Sequence, residues 1–210
     1  MIIRTSRRLR SLVTLLALSA SACATPQSVT SYYTLMPDNS AAATATDSSY
    51  QIEVMKVDVP MQVDVPQIVV RTGAGELVPV DSRRWIAPLS NELHGALSWN
   101  LTRTLGVRDV AGFGRNNSTP IYRVNLRIQR FDSAPGAYAR IDALWSVRLS
   151  NNDAAPAVCS SSANISVGAG YASLAQGHQK AIAQISEEIA ASIRTARSTG
   201  RAPSCVTSAQ

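Results

Sequence analysis

Three cysteines, Cys23, Cys159 and Cys205, two histidines, His94 and His178, and an arginine-rich set of cations carry most of the chemistry available to this 210-residue chain. Cys23 closes the string LVTLLALSASAC, residues 12–23, which follows Arg4, Arg7, Arg8 and Arg10, and no acid precedes it. A basic start, a short apolar run and terminal small residues are the order of a secretory signal. The run is well short of the ~20 apolar residues that a helix needs to cross a bilayer. Ala20-Ser21-Ala22 fits the A-x-A pattern of ordinary signal peptidase, while small residues leading directly into a cysteine resemble a bacterial lipobox, in which the thiol is alkylated by a lipid glycerol. Leucine usually stands three positions before such a cysteine; here that place holds Ala20, with Leu18 two residues earlier. Lipidation of Cys23 is the preferred reading, with ordinary cleavage and an uncut anchor as alternatives. Ala24 is not the aspartate that retains many Gram-negative lipoproteins at the inner membrane, so the expected address is the inner leaflet of the outer membrane, facing the periplasm.

With Cys23 committed to lipid, Cys159 and Cys205 remain as an even pair in an oxidising compartment. A bridge between them closes a loop of about 45 residues, worth roughly 4 kcal/mol on the loop-entropy model; two separate thiols are the alternative. Removing residues 1–22 takes four of the 20 basic residues, leaving 16 against 14 acids and a net charge of +2. That balance gives no argument for nucleic acid. Only Lys56 and Lys180 are lysines, so the cationic surface is built of arginine, which suits planar pairing with carboxylates or phosphates.

Catalytic patterns are missing. His94 and His178 each fall on an expected helix with no second ligand four residues away, which reads as surface or helix-flank histidine rather than a zinc site. Cys159 lies in an inward strand phase with a disulfide mate, so it is no nucleophile. No G-x-S-x-G occurs, and Gly73-Ala74-Gly75 leads into a strand rather than a phosphate-binding helix. Asp58 and Asp64 in their proline-flanked segment read as solvated edge charges. Arg123, Arg127, Arg140 and Arg148 share the outward phase of two neighbouring expected strands, a basic sheet face able to meet lipid headgroups or an acidic protein, or simply a solvated surface.

The elements that must position these residues follow from periodicity. A polar leader precedes an apolar island at residues 32–36, and residues 37–49 are turn formers and small residues, expected as a loop. A strand is expected over 50–59, with Ile52 and Val54 in one phase, Val57 and Val59 in the other, and a bulge at the slip near Met55. Pro60 and Pro66 bracket an edge or turn, and residues 67–72 and 76–80 form a hairpin about the Gly73-Ala74-Gly75 turn. Pro88 opens a helix carrying Leu89, Leu93, Leu97, Leu101 and Leu105, which Gly106 stops. Strands follow over 122–129 and 139–149 about a turn at 132–136, then a third run with Cys159, Ala163, Ile165 and Val167 facing inward. A long helix over 173–197 shows Ile182, Ile185, Ile189 and Ile193 on one stripe. The expected organisation is a signal at 1–22, a lipidated tether at 23–31, one domain at 32–197 and an irregular tail at 198–210. The expected fold is an α+β two-layer sandwich, an antiparallel sheet with both amphipathic helices on one face.

Several short strings now align with a known family. The lipobox-like leader is followed by YYTL at 32–35, by VDVPMQVDVPQIVVR at 57–71, by RWIAPL at 84–89 opening the first helix, and by LWSV at 144–147. In this order and spacing they resemble the ABC-type transport auxiliary lipoproteins, the PqiC-like family, over nearly all of the mature chain. The resemblance implies a non-enzymatic periplasmic lipoprotein working with an inner-membrane ABC permease and an MCE-domain protein that bridges the envelope in lipid trafficking. It implies no cofactor beyond covalent lipid on Cys23, and it leaves self-association open. It places Tyr33 at the first strand and Trp85, Pro88 and Leu89 at the helix entrance, with Leu35 a further family-motif position, all as fold positions rather than binding residues. Ala20 and the Cys159/Cys205 pair depart from the family pattern. A general envelope structural lipoprotein and a lipid-binding carrier remain the alternatives.

Overall fold

The computed structural model describes residues 29–38, 47–113, 119–150 and 155–205. The expected signal segment, Cys23 and the tether as far as residue 28 lie outside them, as do residues 39–46 of the loop and 206–210 of the tail. In chain order the elements are β1 (Ser31–Tyr33), β2 (Gln51–Val54), β3 (Gln67–Arg71), β4 (Leu77–Trp85), α1 (Leu89–Leu105), β5 (Ile121–Ala134), β6 (Tyr138–Leu149), β7 (Val158–Ser166) and α2 (Tyr171–Thr199).

Each forms for a local reason. Leu89, Leu93, Leu97 and Leu101 are fully buried along one stripe of α1, and Gly106 ends the helix in the left-handed region at φ 65°, its N–H donating to Thr102 O. Ile182, Ile185, Ile189 and Ile193 do the same for α2, which ends at Gly200, φ 67°. The slip near Met55 is real. Val54 pairs with Val124 and Asp58 bridges Arg127, four residues against three, so one extra residue bulges out and Val57 turns inward in place of Lys56.

The strands form two mixed sheets, ordered β1-β4-β3 and β2-β5-β6-β7. The α+β sandwich stands, but its sheet is neither single nor wholly antiparallel, because β1 runs parallel to β4 and β2 parallel to β5. Both parallel partners are distant in sequence, and parallel pairing requires such a long crossover. In the four-stranded sheet the residues alternate as expected: Val124, Leu126, Ile128, Ile141, Trp145 and Val147 are buried while their neighbours are not. α2 packs on β6 and β7, α1 lies against β2, and the helices pack on each other.

The expected turn at 132–136 is shorter than that. β5 continues through Ala134, and only residues 135–137 turn, with Gly136 at φ 78°. A bulge between Ile128 and Arg130 reverses the phase, so Phe131 and Ser133 join the buried face and Asp132 points to the other. There Asp132, 5% exposed, receives Arg71 Nε–H of β3 at 2.8 Å and the Tyr138 hydroxyl at 3.3 Å. This ion pair stitches the two sheets together, reinforced by an edge-on contact of Trp85 with Phe131, centroids 6.0 Å apart.

Candidate functional site

The outward phase of β5 and β6 carries the four arginines, and the fold supplies them with acids from neighbouring positions. Arg123 Nε–H donates to Glu53 of β2 at 2.8 Å, and Arg127 lies 3.4 Å from Asp58, both of that pair well exposed. Arg140 reaches Asp142 at 2.9 Å, and Arg130 approaches the same carboxylate at 3.5 Å. Arg148 stands directly across the ladder from Arg123. The face is therefore a lattice of ion pairs with an excess of arginine, not a uniform positive field. Burial pushes the Asp142 carboxyl up, but hydrogen bonds from Arg140 and Ser162 and the charges of Arg140 and Arg130 hold it below its usual range. The Asp142 hydrogen bond and charge raise Arg140 in turn. Between the strands an open depression of about 340 Å³ is lined by Lys56, Asn125, Arg127, Leu144, Ser146 and Val158.

Cys159 and Cys205 are bridged, with Cα atoms 5.3 Å apart. Cys159 is 4% exposed on the inward phase of β7, so the bond draws the tail back under the end of α2, where Ser192 Oγ donates to Ser204 O at 2.7 Å and Pro203 is buried.

The helix entrance is held by a residue that periodicity did not single out. Glu92, 6% exposed in the first turn of α1, accepts the Leu35 N–H at 2.7 Å and the Thr34 hydroxyl at 2.8 Å. Its negative charge also suits the positive end of the helix dipole. Leu35, Trp85 and Leu89 are buried, Tyr33 is half-buried with its ring 6.5 Å from that of Tyr171, and Pro88 is the exposed N-cap of α1. An acid three residues inside a helix start was the available signal for Glu92; its strand partner was not.

His178 is a correction: it is fully buried rather than at a surface or flank. Its ring stacks on Phe131 at 3.9 Å, meets Trp85 edge-on at 6.4 Å, and shares a 2.8 Å hydrogen bond between Nε2 and Ser133 Oγ. Desolvation lowers its pKa to about 3, keeping it neutral. Ser133 is 1% exposed, so this serine–histidine pair is closed to solvent and links β5 to α2 through Nε2, while the buried Nδ1 has no hydrogen-bond partner. His94 instead bonds Val54 O at 3.2 Å, tying α1 to β2. No cluster of three or more metal-ligating side chains occurs among the described residues.

The family model of the ABC-type transport auxiliary lipoprotein component matches residues 33–190. The chain belongs to this family. The auxiliary lipoprotein fold is also that of a crystal structure of an uncharacterized protein, at 20% identity and TM-score 0.63, covering 79% of this chain and 99% of that one. It is likewise that of protein XCC0632 from Xanthomonas campestris, of the DUF330 family, at 19% identity and TM-score 0.61, covering 82% and 99%. No curated relative matches this auxiliary lipoprotein.

Proposed function

We propose that this auxiliary lipoprotein is a non-enzymatic subunit of an MCE-type ABC lipid-trafficking system, anchored through diacylated Cys23 in the inner leaflet of the outer membrane, where it docks the transport assembly. The observation that carries the reading is the family match, which begins ten residues after a cysteine preceded by a basic, leucine-rich and small-residue leader. Physically the role is coherent: one acyl chain attaches a protein marginally, two attach it stably, and no hydrophobic helix is then required. None of the helices among the described residues is long and apolar enough to cross a membrane. A tether of seven residues, 24–30, spans roughly 23 Å when extended, which holds the domain close to its leaflet and raises its effective concentration for a membrane-bound partner. The arginine-bearing sheet face, with its open depression, is the surface offered to that partner.

A lipid carrier would need an enclosed apolar chamber between helices and sheet. Leu93, Leu97, Ile182, Ile185 and Ile189, all fully buried, fill that interface instead, which supports docking over carriage. Affinity isolation of the full chain from detergent-solubilised envelopes tests the reading. An MCE-domain protein and an ABC permease are expected in the eluate, and Cys23→Ser is expected to release the chain from the membrane fraction. Recovery of the lipidated chain without any MCE-domain protein would overturn the assignment.

A further inference from the structure

The entry of the chain into β1 carries exposed apolar side chains. Val29 is 82% exposed, Tyr32 57% and Ile86 62%, three large apolar side chains beside the segment that leads to Cys23. Tyr32 and Ile86 are neighbours by register, and Val29 lies two residues before β1. Tyr32 pairs with Arg84 in the β1–β4 ladder, and the Ile86 N–H donates to Tyr33 O at 2.8 Å, which carries β4 one step further alongside β1. The exit of the chain is also fixed. Arg83 Nη1–H groups donate to Val29 O at 3.3 Å, Ser31 Oγ at 3.2 Å and Ser82 O at 2.9 Å, while the guanidinium lies over the Tyr171 ring, 5.5 Å from its centroid. Arg84 is held by Asp81 O at 3.1 Å.

We infer that Tyr32 and Ile86, with Arg84 on their face of the β1–β4 ladder and with Val29 and Arg83 where the chain enters β1, are the surface by which this domain rests on the anionic phospholipid headgroups of the leaflet holding its own anchor. The inference rests on the lipid-anchor reading of Cys23. Five residues separate Cys23 from Val29, so the pinned end of the domain lies within ~20 Å of the glyceride even with those six Cα–Cα steps fully extended. A patch at that distance meets the interface on every excursion of the tether. Its composition fits: an aromatic and aliphatic pair inserts at headgroup level, and arginines beside it meet phosphate. The acyl chains supply attachment; the patch supplies orientation, turning one end of the three-stranded sheet to the leaflet. Val158, 67% exposed, and Met61, 88% exposed, are comparably apolar but lie on other elements, β7 and the turn after Pro60, and they serve as internal controls.

The test uses the full lipidated chain in vesicles of phosphatidylethanolamine and phosphatidylglycerol containing a phospholipid with a photoactivatable diazirine near its headgroup. After irradiation, peptide mass spectrometry reads the sites of labelling, flotation reads attachment, and the mass of the N-terminal peptide reads the state of Cys23. Labelling of Val29, Tyr32 and Ile86 several-fold above Val158 and Met61 is expected, as is its loss in Tyr32→Ser/Ile86→Ser with flotation unchanged. Equal or greater labelling of Val158 in a floating, diacylated chain overturns the patch and leaves the anchor standing. So does an unlabelled Tyr32 that cross-links instead to a second copy of the chain. An unmodified Cys23 in a chain that fails to float overturns the anchor reading and this inference together.

Discussion

The imidazole of His178 titrates against folding. Desolvation at a fully buried site holds its folded pKa at about 3, against about 6.5 in an unfolded chain. Between those values the unfolded chain binds a proton that the native one refuses, so the contribution is complete above about pH 6.5 and is lost as pH falls toward 3. At pH 5 the deficit reaches about 2 kcal/mol. Asp142, held low mainly by Arg140 and Ser162, adds its own loss only below the ordinary carboxylate range. Urea midpoints measured from about pH 7.5 to about pH 4.5 are expected to fall for the native chain and to fall much less for His178→Gln, whose amide keeps a partner for Ser133. A native midpoint flat over that range would refute the buried neutral ring. At this scale the sequence shows unevenly. An even cysteine pair and an inward phase at Cys159 were enough to anticipate the bridge, because both are local facts. The arginine phase was equally plain, but Glu53 and Asp58, which neutralise Arg123 and Arg127, come from a segment about 70 residues earlier that only the parallel pairing brings alongside. His178 was misread because a histidine in a helix has no local mark of burial; Phe131 and Ser133 reach it only after the β5 bulge reverses their phase.

Two glycines inside helices separate propensity from packing. A Cβ on Gly177 of α2 would sit 2.3 Å from Val167 Cγ1 and 2.8 Å from Ala139 Cβ, the latter fixed on β6. A Cβ on Gly95 of α1 would meet Met36 Sδ at 3.3 Å, the far end of a flexible side chain. Alanine gains about 1 kcal/mol over glycine in either helix, whereas overpacking a tight contact costs about 1–3 kcal/mol. Gly177→Ala is therefore expected to lower stability by up to about 2 kcal/mol and Gly95→Ala to leave it unchanged or raise it by up to about 1 kcal/mol. Thermal and urea unfolding of the two variants checks the opposite signs; equal effects would mean that α2 does not approach β6 as closely as Gly177 requires. The helices themselves were legible because their leucine and isoleucine stripes repeat at helical spacing, and β6 because it alternates without interruption. β5 was legible only as far as its bulge. Beyond it Phe131, Asp132 and Ser133 are all buried, a pattern that reads as neither strand nor helix until Arg71 and His178 are placed on its two faces.

The division into two sheets is the feature of the whole molecule that no local pattern announced, since strand partners are chosen by tertiary packing. Beyond the shared apolar core, two specific contacts join the sheets, the Arg71–Asp132 pair and the Trp85–Phe131 contact, and the Tyr138 hydroxyl of the four-stranded sheet supports the same carboxylate. Asp132 is 5% exposed, and its hydrogen bond and charge raise the pKa of Arg71. Removing one member of such a pair strands the other without compensation, and loss of Arg71, itself 29% exposed, leaves behind a carboxylate that is only 6% exposed. Arg71→Ala should thus destabilise strongly, while Arg71→Met/Asp132→Leu, which removes both charges and keeps the apolar bulk, should recover most of the loss. If the seam unites the sheets into one cooperative unit, far-UV circular dichroism and tryptophan fluorescence, which samples Trp85 at the seam, Trp99 on α1 and Trp145 in the four-stranded sheet, will give coincident transitions in the native chain and in both variants. Separation of the two probes in Arg71→Ala alone would show instead that this ion pair is what makes the sheets fold as one. Coincidence with an undiminished midpoint would show that the hydrophobic seam suffices and that Asp132 finds solvent when Arg71 is gone.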